Sequence, residues 1–261
     1  MLRKIFCLLT LMLIVFTSSG FAKNNNKNNL YESILKKDKL IVGISFNSKP
    51  FGFKDSDGQI RGMEADLARE IANRLLGSKN KVVFKNITPQ ERISAAMSGN
   101  VDMVISTMTI TPQRKKLVDF SVPYFVTGQV ICVRKDGKID SLEDLINKKV
   151  IVIFGTTGEK NIKRLAPTAI IQGYADNADA LKAFKSGSSD AITTDGSLLQ
   201  GFVAENSDYT ILPKRLSKET YGIAFRKSRQ TNSLRNNINK IIGELNLDGT
   251  LQSIKNKWII D

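Results

Sequence analysis

Short apolar segments alternate with segments of helical periodicity along most of this chain, and this alternation restricts its fold more than any other feature. Apolar residues fill positions 40–44, 82–84 and 150–154, which indicates buried strands. Residues 64–76 place apolar side chains three and four positions apart, as a helix does. The same patterns predict helices at 91–97 and 197–205, and strands at 101–106, 130–134, 191–193 and 221–225. Such alternation predicts an α/β protein with mainly parallel sheets and helices on both faces.

The N-terminus has the composition of an export signal. Arg3 and Lys4 precede an apolar stretch over residues 5–16, and small residues follow as far as Ala22. This order predicts a secretory signal peptide over residues 1–22, cleaved after Ala22. A membrane anchor is the alternative, but the apolar stretch is shorter than the ~20 residues that span a bilayer. Because Cys7 lies inside that stretch, no lipid anchor is expected, and the predicted location is the periplasm.

Composition excludes several classes of chemistry. The chain has no histidine and only two cysteines, Cys7 and Cys132, so a His-dependent nucleophile, a His-ligated zinc site, a Cys-rich metal site and an iron–sulfur cluster are all excluded. We therefore expect no catalytic residues, no metal and no cofactor. The net charge is +14, or +12 without Arg3 and Lys4, but the lysines are spread along the chain. A basic solvated surface explains this better than a nucleic-acid partner.

Three polar loops, each placed directly after a predicted strand, carry the candidate binding groups, since ligands bind at that position in open α/β sheets. In the first, Thr111 and Pro112 predict a helix start with Arg114 one turn further on, a group that suits a carboxylate. The alternative is a capped helix with a solvated arginine. In the third, Asp195 either pairs with a ligand ammonium or simply caps the helix that follows.

The second loop is rich in small residues. Gly155 and Gly158 flank two threonines and allow a close backbone approach, so the free N–H groups of the following helix can hold an anion. A nucleotide phosphate is the competing ligand. The loop lacks both the Gly-Lys-Ser/Thr ending of a P-loop and the Gly-x-Gly-x-x-Gly of a dinucleotide site, which disfavours a nucleotide.

Several short motifs, taken in order, resemble one family. They are Gly62-Met63-Glu64-Ala65-Asp66-Leu67, Gly99-Asn100-Val101-Asp102, Thr109-Ile110-Thr111-Pro112-Gln113-Arg114 and Asp119-Phe120-Ser121 with Pro123-Tyr124. Together they resemble the periplasmic amino-acid-binding proteins of ATP-binding-cassette importers, the family 3 extracellular solute-binding proteins, over residues 38–260. Met63 and Ala65 depart from the usual aromatic and β-branched residues of the signature.

The resemblance implies a two-lobed periplasmic-binding-protein fold of type II, with two doubly wound mixed sheets joined by two hinge strands. Residues 23–126 and 222–261 would form lobe 1, and residues 127–221 lobe 2, with hinges near 124–128 and 217–221. The implied partners are a free L-amino acid and the permease subunits of the importer, and the protein is expected to be a monomer.

The resemblance also implies the roles of individual residues. Arg114 matches the residue that holds the ligand α-carboxylate, and Asp195 matches the acid that pairs with the α-ammonium. The remaining contacts to these two groups are assigned to Thr107, Thr109, Thr156, Thr157 and Gly158, with Thr107 serving both. The ligand side chain is assigned to Ser45, Arg92 and Thr194.

The ligand itself follows from the side-chain positions. Ser45 stands where members that bind cationic amino acids carry an acid, and Ser48 replaces a usual aromatic. Arg92 matches an arginine by which glutamate and aspartate binders read the side chain, although a solvated surface arginine is the alternative. The resemblance therefore predicts glutamate or aspartate, with glutamine next and cationic amino acids disfavoured.

Two other classes of function compete with a transport protein. Cyclohexadienyl dehydratases are exported and resemble this family, and Glu159 is the acid of the glycine-rich loop that would supply their chemistry. A receptor subunit that signals through a partner is the second alternative. Since Arg114 and Asp195 together suit a zwitterion, a binding protein and not an enzyme is predicted.

Overall fold

The structure is a computed structural model, and it describes residues 29–259. The predicted signal peptide and residues 23–28 of the polar segment after it lie outside this range. The described strands are β1 (Leu40–Ile44), β2 (Asn47–Ser48), β3 (Gly52–Lys54), β4 (Ile60–Arg61), β5 (Val82–Asn86), β6 (Met103–Val104), β7 (Val118–Phe120), β8 (Phe125–Thr127), β9 (Gln129–Arg134), β10 (Lys149–Ile153), β11 (Ile170–Tyr174), β12 (Ala191–Asp195), β13 (Tyr209–Ile211), β14 (Glu219–Tyr221) and β15 (Ala224–Arg226). The described α-helices are α1 (Leu30–Lys37), α2 (Met63–Leu76), α3 (Arg92–Ser98), α4 (Pro112–Leu117), α5 (Thr157–Leu165), α6 (Asn177–Lys185), α7 (Gly196–Glu205), α8 (Asn232–Leu247) and α9 (Thr250–Trp258).

The first lobe is built on a five-stranded sheet with the order β5-β1-β6-β15-β7. β1 is parallel to β5 and β6, and β15 runs antiparallel to β6 and β7. β1 is apolar throughout because helices cover both faces of this sheet. One apolar cluster joins β1 to α2, α8 and α9, and its largest side chains include Phe51, Leu67 and Ile71.

The second lobe repeats this arrangement with a five-stranded sheet of order β11-β10-β12-β9-β13. β10 is parallel to β11 and β12, and β9 runs antiparallel to β12 and β13. Cys132 lies fully buried in β9, and burial raises the pKa of its thiol to about 12, so it is a packing residue. The prediction of an α/β fold with two mixed, doubly wound sheets is confirmed.

A two-stranded antiparallel ribbon of β8 and β14 carries the chain between the two sheets in both directions. The strand predicted over residues 221–225 is wrong as a single element, because β14 ends at Tyr221 in the ribbon and β15 begins at Ala224 in the first sheet. Gly222 lies at the break. A Cβ atom there would lie 2.8 Å from Cδ1 of Ile110, so the turn packs too closely for a side chain. Among residues 29–259, no helix has the length and apolar character needed to cross a bilayer.

Candidate functional site

Arg114 lies at the edge of the first lobe and reaches the second. Thr111 accepts a hydrogen bond from the Arg114 N–H at 3.2 Å and so caps α4, as predicted. The guanidinium donates to the Thr109 carbonyl at 2.8 Å and, across the cleft, to the Gly155 carbonyl at 3.1 Å. Burial lowers the pKa of Arg114, while the carboxylates of Glu219 and Asp195 oppose that shift. The side chain is therefore partly buried and faces acids, unlike a solvated surface arginine.

The glycine-rich loop starts α5 at Thr157, the predicted position. Thr156 caps the helix, since its hydroxyl accepts from the Glu159 N–H at 3.1 Å. Gly155 has φ +74°, and a Cβ there would lie 2.9 Å from Cα of Gln90, so only glycine fits. The first N–H groups of a helix have no acceptor within it, and Gly155, whose carbonyl accepts from Arg114, lies two residues before the first residue of α5.

The side chains of this loop connect it to the ribbon of β8 and β14 and to β9. The Thr157 hydroxyl donates to Glu219 at 2.8 Å, and the Gly158 carbonyl accepts from the Gln129 amide at 3.1 Å. Glu219 lies on β14 and is 2% exposed. The sequence analysis missed Glu219. No local pattern around this residue indicates that its side chain contacts Thr157, which lies 62 residues earlier in the chain.

Asp195 ends β12 and occupies the cap position of α7, but its side chain makes no capping hydrogen bond. Instead its carboxylate accepts from the hydroxyl of Tyr221 on β14. Burial raises the pKa of Asp195 to about 6, and Glu219 adds to the rise, whereas Arg92 and Arg114 counteract it. The interpretation of Asp195 as a helix cap is therefore wrong, and the carboxylate is available in the cleft.

Arg92 is 2% exposed, so the alternative of a solvated surface arginine is also wrong. Within residues 29–259 its guanidinium donates to four backbone carbonyls: to Pro89 at 3.0 Å, to Ser106 at 2.9 Å, to Thr107 at 2.8 Å and to Gly155 at 3.3 Å. Burial lowers the pKa of Arg92 to about 10, and the nearby charge of Arg114 contributes to this. Arg92 and Arg114 thus meet at one carbonyl, that of Gly155.

Glu64 lies behind Arg92 and is fully buried at the start of α2. It accepts from the Thr107 N–H at 2.6 Å and from the Tyr124 hydroxyl, and it holds Thr107 at φ +40°. Burial raises the pKa of Glu64 to about 7. Since the N–H of Thr107 is bound to Glu64 and its carbonyl to Arg92, a ligand contact by Thr107 is left to its hydroxyl.

Ser45 and Thr194, assigned above to the ligand side chain, lie on opposite lobes and are joined through two other residues. The hydroxyls of Ser45 and Ser48 are 2.9 Å apart, and Ser48 accepts from the amide of Asn177 at 3.0 Å. The Thr194 hydroxyl donates to Asn177 at 3.5 Å. The sequence analysis missed Asn177, although it also follows a strand and starts a helix.

Two similar α/β lobes, joined by a two-stranded ribbon and facing each other across a polar cleft, define a solute-binding protein of the type II class. The chain belongs to the bacterial extracellular solute-binding proteins, family 3, whose model matches residues 40–261. The family is described as extracellular, which agrees with the export predicted from the sequence.

Known relatives agree with this assignment. The glutamine-binding protein GlnH of an ABC transporter from Bacillus subtilis is 38% identical over 244 residues, which are 93% of this chain and 89% of the relative. A glutamine-binding protein from Geobacillus stearothermophilus is 41% identical over 203 residues, 76% of this chain and 77% of that one. The solved structure of an ancestral arginine-binding protein bound to glutamine has a TM-score of 0.78 and 42% identity, and the match covers 85% of this chain and 97% of that one. Since these relatives are binding proteins, the prediction that the chain is not an enzyme is confirmed.

Proposed function

We propose that this protein captures a zwitterionic L-amino acid, glutamine before all others, between its lobes and delivers it to the permease of an ATP-binding-cassette importer. The observation that carries the proposal is the carboxylate of Asp195, which stands at a helix start without capping it and faces Arg114 from the other lobe. A free amino acid has the matching pair of opposite charges.

In this proposal the α-carboxylate binds Arg114. The guanidinium already donates to the Gly155 carbonyl across the cleft, and a carboxylate replaces that carbonyl with a stronger, charge-assisted acceptor. In this proposal Thr109, Thr156, Thr157 and Gly158 contribute the remaining contacts to the α-carboxylate. The N–H groups at the start of α5 supply further donors, and the positive end of the helix favours an anion there.

The α-ammonium binds Asp195 and the hydroxyl of Thr107. Ligand binding compensates the carboxylate charge that burial now disfavours, so the pKa of Asp195 falls when the site fills. The hydrogen bond from Tyr221 keeps the carboxylate oriented towards the cleft.

The charges in the cleft favour a neutral side chain. The positive charges of Arg92 and Arg114 face the negative charges of Asp195 and Glu219, with Glu64 behind Arg92. A zwitterion with a neutral amide side chain leaves the net charge of the cleft unchanged. Arg92 already donates four of its five N–H groups to carbonyl oxygens, so a side-chain carboxylate can pair with it through two hydrogen bonds only by displacing one of those carbonyls. The names of the two relatives given above also support glutamine.

The acidic ligand expected from the sequence stays a prediction, and so do several other features. They are cleavage after Ala22, release into the periplasm without a lipid anchor, lobe boundaries at residues 126/127 and 221/222, and a monomeric state. The ribbon of β8 and β14 supports these lobe boundaries, because β8 contains the 126/127 boundary and β14 ends at the 221/222 boundary.

Calorimetric titration tests the proposal on protein that has been unfolded, dialysed free of ligand and refolded. Glutamine should bind the wild type, and Arg114→Ala should weaken binding at least about 30-fold, because the loss of one partner of a desolvated charge pair costs ~2–5 kcal/mol. Arg164→Ala, at an exposed position on α5, is the matched control and should leave the affinity unchanged.

Three outcomes contradict the proposal. Absence of binding by any of the twenty amino acids refutes amino-acid capture. If the protein forms phenylpyruvate from prephenate, as detected by ultraviolet absorbance, the dehydratase is favoured instead. Tighter binding of glutamate or aspartate than of glutamine restores the acidic ligand predicted from the sequence.

A further inference from the structure

A chain of four polar side chains crosses from one lobe to the other beside Asp195. It runs from Ser45 through Ser48 to Asn177 and ends at Thr194. Within this series the hydrogen bond from Asn177 to Ser48, at 3.0 Å, joins the two lobes, and we call it the bridge. All four residues are less than 8% exposed. Since buried polar groups left without partners are costly, the four side chains satisfy one another only while the lobes are together.

A second cross-lobe bond lies directly beside the first. The amide of Asn47 donates to Asp176 at 2.7 Å. Asp176 also caps α6, since it accepts from the Asp179 N–H at 3.0 Å. The start of α6 is therefore fixed from both sides, and Asn177, its first residue, has little freedom to move away from Ser48.

We infer that the hydrogen bond between Ser48 and Asn177 closes the side-chain end of the ligand pocket and sets the greatest length of side chain that fits. This inference rests on the proposed function. Thr194, at one end of the chain of hydroxyls and amide, is adjacent in sequence to Asp195, the proposed anchor of the ligand ammonium. In this inference Asp195 and Arg114 hold the charged groups of the ligand, and the Ser48–Asn177 hydrogen bond between the lobes bounds its side chain.

The chemistry of the bridge selects for an amide. The amide of Asn177 and the hydroxyls of Ser45, Ser48 and Thr194 offer both donors and acceptors, which match the terminal amide of glutamine. The longer side chain of arginine must break the bond between Ser48 and Asn177. It also adds a positive charge to a cleft that already holds Arg92 and Arg114. The bridge thus discriminates by length and by charge.

The ratio of two affinities tests the inference. Glutamine and arginine are titrated calorimetrically into wild type, Ser48→Ala and Asn177→Ala, each refolded free of ligand. Both variants should weaken glutamine binding by up to about tenfold, the order that one hydrogen bond contributes. Both should strengthen arginine relative to glutamine by at least about tenfold.

Glu205→Ala is the matched control. Glu205 forms a cross-lobe ion pair with Lys49 at 2.9 Å, but both side chains are more than 60% exposed, so its loss should leave the ratio of affinities unchanged. Asn177→Ser, which keeps a polar group at the start of α6, provides a second variant if the alanine protein unfolds. Circular dichroism establishes that each variant is folded.

The outcomes distinguish the role of the bridge from the proposed function. An unchanged ratio in folded variants that bind glutamine overturns the role of the bridge and leaves the proposed function intact. Wild-type protein that binds arginine as tightly as glutamine also overturns it. Wild-type protein that binds no amino acid overturns the proposed function and this inference together.

Discussion

Replacing Asp195 with asparagine distinguishes a ligand-binding carboxylate from a structural one. Asparagine keeps the size of the side chain and an oxygen that accepts from the Tyr221 hydroxyl, but it removes the charge. Loss of a buried charge partner costs ~2–5 kcal/mol of binding free energy, so we expect amino-acid affinity to fall ~30-fold to several-thousand-fold.

The same substitution should make the ligand-free protein more stable. Burial raises the pKa of Asp195 from 3.8 to about 6, a difference worth about 3 kcal/mol at most, and solvent at the partly exposed carboxyl reduces this to about 1–3 kcal/mol. A carboxyl whose pKa is raised by folding destabilises the fold when ionised. Its effect is complete above pH 6 and vanishes below pH 3.8. At roughly 2–4 °C per kcal/mol for a protein of this size, Asp195→Asn should raise the melting temperature by at least about 2 °C at pH 8, with little change at pH 4.

Calorimetry measures both quantities on ligand-free protein: scanning at pH 4, 6 and 8, and titration with glutamine. Asn29→Ala is the control, because Asn29 does cap a helix, α1, by accepting from the Tyr31 N–H at 3.1 Å. It should lose about 1 kcal/mol of stability and keep its affinity. If Asp195→Asn behaves in the same way as Asn29→Ala, with a lower melting temperature and unchanged affinity, the reasoning is refuted.

Three further results are expected. Glu64→Gln should reduce the loss of thermal stability between pH 4.5 and pH 7, because burial raises the pKa of Glu64 from 4.5 to about 7 and the cost of its ionised form accumulates over that range; parallel curves of melting temperature against pH for variant and wild type would contradict this. Gly173→Ala places a Cβ 1.9 Å from the ring of Phe154 and should lower the free energy of unfolding in urea by ~1–3 kcal/mol. Gly201→Ala in α7 adds a Cβ with no neighbouring atom within 4 Å and should raise the free energy of unfolding by ~0.5–1 kcal/mol. Equal effects of the two substitutions would count against the packing described. Small-angle scattering should show a smaller radius of gyration with glutamine than without it, and an unchanged radius at saturation argues against closure of the lobes.

The position of the cleft was predictable because ligands bind beyond the ends of strands in open α/β sheets, and three polar loops of this chain lie at such ends. Asp195, Thr157 and Thr111 each lie beyond a strand and at a helix start, and the alternation of strand and helix in the sequence locates such points. Residue types then indicated the chemistry, since an acid and an arginine suit a zwitterion. Local pattern was sufficient for this level of detail.

The roles of single residues depended on contacts that local pattern does not contain. Whether Asp195 caps a helix or faces the cleft is decided by Tyr221, 26 residues away. Arg92 is buried because it meets Gly155, 63 residues away, and Glu219 meets Thr157 across 62 residues. The apolar spacing of residues 221–225 is that of one strand, yet the tight packing at Gly222 divides it between two sheets.

The strand order of the two sheets has a consequence for assembly of the chain during synthesis. Every strand of the second sheet lies between Gln129 and Ile211, so that sheet has all its parts once residue 211 is available. The first sheet lacks an interior strand until β15 arrives, because β15 pairs with both β6 and β7. The second lobe is thus able to fold around contacts that are close in sequence, while the first lobe must close a loop of more than a hundred residues. In pulse-labelled hydrogen exchange during refolding, the amide of Ile151 in the second lobe should be protected before that of Ala224 in the first. The second lobe, which is inserted in the sequence of the first, should therefore fold earlier.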